Sequence, residues 1–192
     1  MTTATKSRLA GDLTTQEDIV TQPLARKVLA VGRIVIGFTF LWAFLDKLFG
    51  LNFSTPSAGA WINGGTPAQG FISRIEGPFA GLFQMFANPF GDWLFMFGLL
   101  GIGVAMIAGA GLRIAAVGGT LLMLFMFLAE FPTASAMVDG ELVRGSTNPI
   151  VDSHWHEALL LIIAAVTLAG DTWGLGTWWA KKGFVRKYTW LR

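Results

Sequence analysis

The sequence contains no cysteine among its 192 residues and has little charge. Without thiols the chain cannot form disulfides, thiolate metal sites or the cysteine-pair chemistry of four-helix thiol oxidoreductases. Only 14% of the residues are charged, which is too few to cover a water-soluble globule of this size. The two histidines, His154 and His156, lie two positions apart. Their rings would point apart on a helix, so we predict neither a metal site nor a haem.

Hydrophobic residues make up 53% of the chain, and they are gathered in four long stretches. Each stretch is close to the roughly 20 residues that a helix needs to cross a hydrocarbon core about 30 Å thick. The predicted spans are residues 28–49, 93–112, 114–131 and 155–175. The sequence therefore predicts an all-α integral membrane protein, a bundle of four transmembrane helices.

The basic residues are distributed unevenly between the two sides of this bundle. If the spans alternate, only Lys47, Arg74 and Arg144 of the 14 Lys and Arg fall on the side of the long loops. The positive-inside rule then predicts a multi-pass protein of the cell (plasma) membrane with both termini cytoplasmic. The basic residues follow membrane topology, so we expect membrane lipids and no nucleic acid as partners.

Three regions are predicted along the chain. Residues 1–25 form a disordered cytoplasmic tail, residues 26–176 the four-helix membrane domain, and residues 177–192 a basic and aromatic segment at the membrane interface. A long outer loop joins the first two spans. Within it, Thr66 to Gln69 resemble a capping box that starts a short helix ending near Ser73. The rest of the loop is either a lid over the bundle or a plain interfacial anchor.

Small residues predict where the second and third spans touch. These spans are joined by little more than residues 111–113, so they form an antiparallel hairpin. Small residues at four-residue spacing let two helices approach closely in a membrane. We therefore expect the hairpin to pack through Gly101, Ala105 and Gly109 on one helix and Ala115 and Gly119 on the other.

A buried charge is predicted in the first span. Arg33 shares a helical face with Gly37 and Lys47, and this face is expected to look into the bundle. A charge inside a membrane requires a partner, and Asp171 near the end of the fourth span is the candidate. The alternative is that Arg33 extends to the interface without a partner.

Ionisable residues gather at the outer ends of all four spans. Asp152 and His156 are four positions apart, so the carboxylate could orient the imidazole as a base or proton shuttle. Lys47 and Glu130 would complete this predicted catalytic cluster. The alternative is capping, with Asp152 at the start of the fourth span and Asp92 at the start of the second.

The first span resembles that of the DoxX/DoxD family of four-helix membrane proteins. The resemblance rests on Arg33, Gly37, Lys47 and the step Phe49-Gly50, and it covers about residues 26–175. Phe44 departs from the pattern, because many members have glycine there. The loop segment 61–65 looks more like the DoxD branch, whose members are associated with thiosulfate:quinone oxidoreductase.

The resemblance implies a membrane subunit linked to quinone redox chemistry, with a small outward-facing donor such as thiosulfate. An aromatic wall for the quinone would consist of Trp42, Phe44, Phe127 and Trp155. The alternative is a non-catalytic accessory or scaffold subunit that packs with other membrane protein subunits in a respiratory or oxidative-stress complex. The lack of any metal or flavin motif favours this alternative.

The topology can be tested with single cysteines, because the natural chain has none. Cysteines introduced at Ser57 and Ser146 should react with an impermeant thiol reagent added to intact cells. Protection of both positions would overturn the predicted orientation.

Overall fold

Helices account for nearly all of the regular structure in the computed structural model, which describes residues 13–131, 136–138, 141–143, 148 and 150–192. In chain order the helices are α1 (Gln16–Ile19), α2 (Pro23–Phe49), α3 (Pro67–Ile72), α4 (Ala80–Phe83), α5 (Pro89–Ala108), α6 (Leu112–Ala129), α7 (Ser153–Val166), α8 (Gly176–Ala180) and α9 (Gly183–Lys187). Short 3₁₀ turns lie at Ser57–Gly59, Trp61–Asn63, Gln84–Phe86 and Thr189–Leu191. Two short strands, β1 (Ala136–Val138) and β2 (Glu141–Val143), pair in antiparallel fashion.

Three helices in the described part of the chain, α2, α5 and α6, are long and apolar enough to cross a membrane. This confirms a helical membrane protein. The fourth predicted span is shorter than expected, because α7 ends at Val166 rather than near residue 175. Just beyond it, Leu168 and Trp173 adopt positive φ values of 50° and 53°, so the chain turns instead of continuing as a helix.

The four long helices pack as a ring around one apolar core. α2 contacts α5 and α7, and α6 contacts the same two helices. The core includes Ile36, Phe40, Met96, Met106 and Leu161. α2 and α5 approach each other closely, because a Cβ atom at Gly37 would lie 2.8 Å from Met106 Cβ, and one at Gly103 would lie 2.7 Å from Leu41 N. Glycine therefore permits this contact, as expected where helices gain packing energy by close approach.

Arg33 is fully buried at one end of this ring, as predicted, but the predicted pair with Asp171 is wrong. Its guanidinium has five N–H groups, and it makes five hydrogen bonds to main-chain carbonyls. Nη1 donates to Met106 O and Ile107 O at the end of α5. The other two nitrogens donate to carbonyls in the turn after α7, including Ala169 O at 3.2 Å from Nε and Trp173 O at 3.1 Å from Nη2.

This arrangement satisfies the end of α5. The last four carbonyls of a helix have no partner within the helix, and leaving them bare in a membrane costs several kcal/mol each. Arg33 occupies two of them, Leu175 N donates to Ala108 O, and Gly109 N donates to Ala105 O. A cation at a helix C-terminus is also favoured by the helix dipole. The guanidinium therefore binds backbone carbonyls, because the end of α5 and the turn after α7 both supply carbonyls without helical partners at that point.

Asp171 instead joins the two ends of the described part of the chain. Its Oδ2 accepts from Gln16 N at 2.9 Å and from Arg192 Nη2 at 3.0 Å. Thr172 Oγ1 donates to Gln16 Oε1, and Gln16 is 1% exposed. The predicted disordered tail 1–25 thus contains an ordered segment at α1, while residues 1–12 lie outside the described residues. Both ends of the described chain lie at the same end of the bundle as Arg33.

Replacing Arg33 by Leu should destabilise the protein by about 3–5 kcal/mol, because buried carbonyls lose their donors. Thermal unfolding in detergent measures this loss. Asp171→Asn is the comparison, and its effect should be clearly smaller since it loosens only Gln16 and Arg192. Equal losses in the two variants would support the ion pair that the structure rejects.

Candidate functional site

An apolar slot with a volume of about 580 Å³ lies between α5 and α6. It is lined from the two helices and from the outer loop. None of the 21 lining residues has a polar side chain. Six are phenylalanines, namely Phe71, Phe83, Phe86, Phe95, Phe97 and Phe125. Five are glycines, namely Gly91, Gly98, Gly101, Gly111 and Gly118. The volume falls in the range of roughly 300–1,000 Å³ that is typical of small-molecule sites.

Small residues create the slot. A Cβ atom at Gly98, Gly101 or Gly118 would meet nothing within 4 Å, so these positions border open space. The prediction that Gly101 and Ala105 pack tightly against the third span is therefore wrong. Gly119 does pack closely: a Cβ atom there would meet Leu161 of α7 first, and Ile102 of α5 at 3.4 Å, so this part of the predicted hairpin contact is present. Small side chains leave a gap here because the facing side chains on the other helix of the hairpin are also small.

The outer loop closes one end of the slot. α3, Phe83 and Phe86 pack against the start of α5 and the end of α6, with the centre of the Phe125 ring 6.2 Å from those of Phe83 and Phe86. This packing places the loop across the end of the groove between the two helices. Of the two alternatives for the loop, the structure therefore shows a roof over the slot.

Asp92 attaches this roof to α5. Its side chain is 3% exposed, and Oδ1 accepts from Ala68 N at 2.7 Å and from Gln69 N at 3.2 Å. The Gln69 side-chain amide donates to Oδ2. The short helix predicted at Thr66 is confirmed as α3, but Thr66 provides no side-chain cap, and a carboxylate from α5 performs that role. Asn88 rather than Asp92 caps α5, accepting from Gly91 N at 3.1 Å.

The predicted catalytic residues do not form one site. Within the described residues, no hydrogen bond or ion pair joins any two of Lys47, Glu130, Asp152 and His156. Lys47 is half-buried, with Nζ 3.5 Å from Ser54 Oγ and 5.9 Å from the centre of the Phe95 ring. Glu130 is exposed at the end of α6. None of the four lines the slot.

The predicted orientation of His156 by Asp152 is wrong. Asp152 is the N-cap of α7, so its backbone is extended and its side chain accepts a hydrogen bond from the first turn of the helix. Oδ1 accepts from His154 N at 3.0 Å, and Oδ2 lies 2.8 Å from His154 Nδ1. His156 is exposed on another face of the helix. The capping alternative therefore holds for Asp152, and His154 is the histidine that it orients.

The four aromatic residues predicted to form a wall for the quinone lie in separate groups. The Trp42 ring contacts those of Phe38 and Phe53, whereas Phe44 lies in the apolar core. Phe127 and Trp155 contact each other across α6 and α7 with ring centres 5.6 Å apart. These four residues lie on three helices, and none lines the slot. The slot residues escaped prediction because their glycine spacing indicates close packing as readily as a groove.

Replacing Asp152 by Ala should lower the stability of the protein by about 1–2 kcal/mol, because α7 loses its N-cap. His156→Gln should change stability by less than about 0.5 kcal/mol, as for other exposed positions. His154→Gln should lie between the two. Thermal unfolding of the three variants in detergent measures this order, and a loss for His156→Gln as large as that for Asp152→Ala would contradict the observed pairing.

Comparisons with models of known protein families, with curated proteins and with solved structures each find no match to this chain.

Proposed function

We propose that this chain is a multi-pass membrane protein that holds the hydrocarbon tail of a membrane quinone in the α5–α6 slot, as a subunit linked to quinone redox chemistry. The observation that carries the proposal is the slot itself, a groove lined by apolar side chains and glycines between two helices that are long and apolar enough to span a membrane. The resemblance of the first span to the DoxX/DoxD family supplies the ligand class.

The dimensions of the slot suit an extended chain. Along α5 it is lined from Gly91 to Ala105, which at 1.5 Å per residue is about 21 Å. That is some two thirds of a hydrocarbon core of roughly 30 Å. The roof of α3, Phe83 and Phe86 leaves no room for a further helix along the whole length, since a helix is about 10 Å wide. A flexible tail from the bilayer fits this shape.

The apolar lining of the slot limits its role to binding. A quinone ring needs hydrogen-bond donors for its carbonyl oxygens, and no side chain lining the slot is a donor. The residues therefore fit the tail and not the ring, and no electron-transfer step is assigned to this chain. A thiosulfate donor receives little support as well. The described outer end carries six acidic side chains, which would repel an anion. Lys47 and Arg74 are not seen to form a joint anion site, because Lys47 Nζ lies next to Ser54 Oγ and Arg74 Nε donates to Gly70 O.

The fourth crossing and the orientation belong to the same proposal. Both ends of the described chain meet at Asp171, which an even number of crossings would produce. α7 and the turn after it then make the fourth crossing, with the Arg33 end in the cytoplasm of the cell. The charges support this orientation, because that end has eight basic and three acidic side chains besides Arg33 in the described residues.

A non-catalytic accessory subunit is the second candidate. The wholly apolar lining favours it, since binding without a reactive group is what such a subunit needs. The two candidates differ in what the purified chain does with a retained quinone. Reduction of that quinone by a donor in the presence of this chain alone would support a redox subunit, and an unchanged redox state would support the accessory role.

Mass spectrometry of the lipids that copurify with the protein in mild detergent tests the slot. Gly118→Phe places a ring in the open groove, so it should reduce retained quinone at least tenfold. Val117→Phe is the matched control, because Val117 is 51% exposed on the adjacent position and does not line the slot. Loss of a phospholipid instead of quinone from Gly118→Phe would assign the slot to an acyl chain. Equal retention in both variants would overturn the proposal.

A further inference from the structure

The C-terminal strap, residues 176–192, forms a basic and aromatic surface at the same end of the bundle as Arg33. It contains α8, α9 and the 3₁₀ turn Thr189–Leu191, which packs against α6. Nothing in the function of the slot requires this surface. Its inward side chains are buried or paired, whereas its exposed side chains are mostly basic or aromatic, and this separation indicates a binding surface.

The inner side of the strap is fixed to the protein. Ala180 and Val185 are 1% and 2% exposed, and Trp179 Nε1 donates to Leu191 O at 2.7 Å. At its end, Arg192 forms an ion pair with Asp171 at 3.0 Å, and both side chains are largely buried. The strap is therefore held in one conformation before any partner binds, which lowers the entropy cost of binding.

The outer side combines cations with large aromatic rings. Lys181, Arg186 and Lys187 are exposed, and among the described residues none of them has an ion-pair partner. Between them Trp178, Phe184, Tyr188 and Trp190 are each more than half exposed. Lys182 Nζ lies 3.8 Å from the centre of the Trp178 ring, so even the half-buried lysine is held next to an aromatic face.

From this surface we infer that the strap binds the headgroups of anionic phospholipids in the leaflet that it faces. Aromatic rings are favoured at headgroup depth, and lysine and arginine beside them attract negative lipid phosphates. The charge is complementary only at this end, because the described acidic residues here are few and two of them, Glu17 and Asp171, are paired with Arg26 and Arg192. The occupant is the bilayer surface rather than an acidic protein, because the rings stand out beside the cations and are suited to insertion.

Native mass spectrometry of the full chain in mixed micelles of phosphatidylglycerol and phosphatidylcholine tests the inference. The wild type should retain phosphatidylglycerol in preference. The triple variant Lys181→Gln, Arg186→Gln, Lys187→Gln should lose this preference by at least tenfold, since each basic residue near an anionic surface contributes about fivefold. Arg74→Gln, an exposed cation at the opposite end, should retain it.

Two further variants separate the strap from folding and from the slot. Lys181→Arg with Lys187→Arg keeps the charges, so its preference should match the wild type. Gly118→Phe should also keep it, since a lipid held by its headgroup does not depend on the slot. Equal retention of phosphatidylglycerol by the wild type and the triple variant would overturn the inference, and so would an equal loss in Arg74→Gln.

Discussion

Arg33 connects three parts of the chain at the end of the bundle where both ends of the described chain lie. Its five donors bind the carbonyls that end α5 and those of the turn after α7. These carbonyls have no helical partners, and a membrane offers no water to replace them. Arg33 thereby joins α2 to the end of α5 and to the turn after α7, beside the close approach of Gly109 to Gly170. The Arg33 end of the bundle is therefore held together chiefly by polar contacts.

At the opposite end of the bundle, two buried carboxylates hold the loop between α2 and α5 in place. Asp92 carries the first turn of α3, and Asp46 in the same way accepts from Phe53 N, Ser54 N and Ser54 Oγ. Each carboxylate fixes a piece of the outer loop to a long helix. The loop then packs its phenylalanines between α5 and α6, while the tight turn at Gly109 to Gly111 keeps the other ends together. The slot is the space left between these two constraints.

The sequence was sufficient for those features that hydrophobic length and charge determine. The helical membrane class and the burial of Arg33 are of this kind, whereas the short helix after Thr66 was predicted by local sequence, with Pro67 at its first position. The sequence was insufficient where several groups can serve one residue. Arg33 could pair with a carboxylate or with carbonyls, and it binds carbonyls because the end of α5 and the turn after α7 lie beside it. Asp152 lies two residues from His154 and four from His156, and the extended backbone of an N-cap selects the nearer ring. Gly101 and Gly118 face a groove because small residues line both helices of the hairpin there.

Photocrosslinking in native membranes tests most directly whether the slot holds a specific tail. A photoreactive phenylalanine analogue at Phe125 lies in the slot, whereas the same group at Val117 faces outward on the same helix. Mass spectrometry of the adducts should show one molecule, a quinone, predominating at position 125 and a mixture that mirrors the bulk membrane at position 117. The same adducts in the same proportions at both positions would contradict the account.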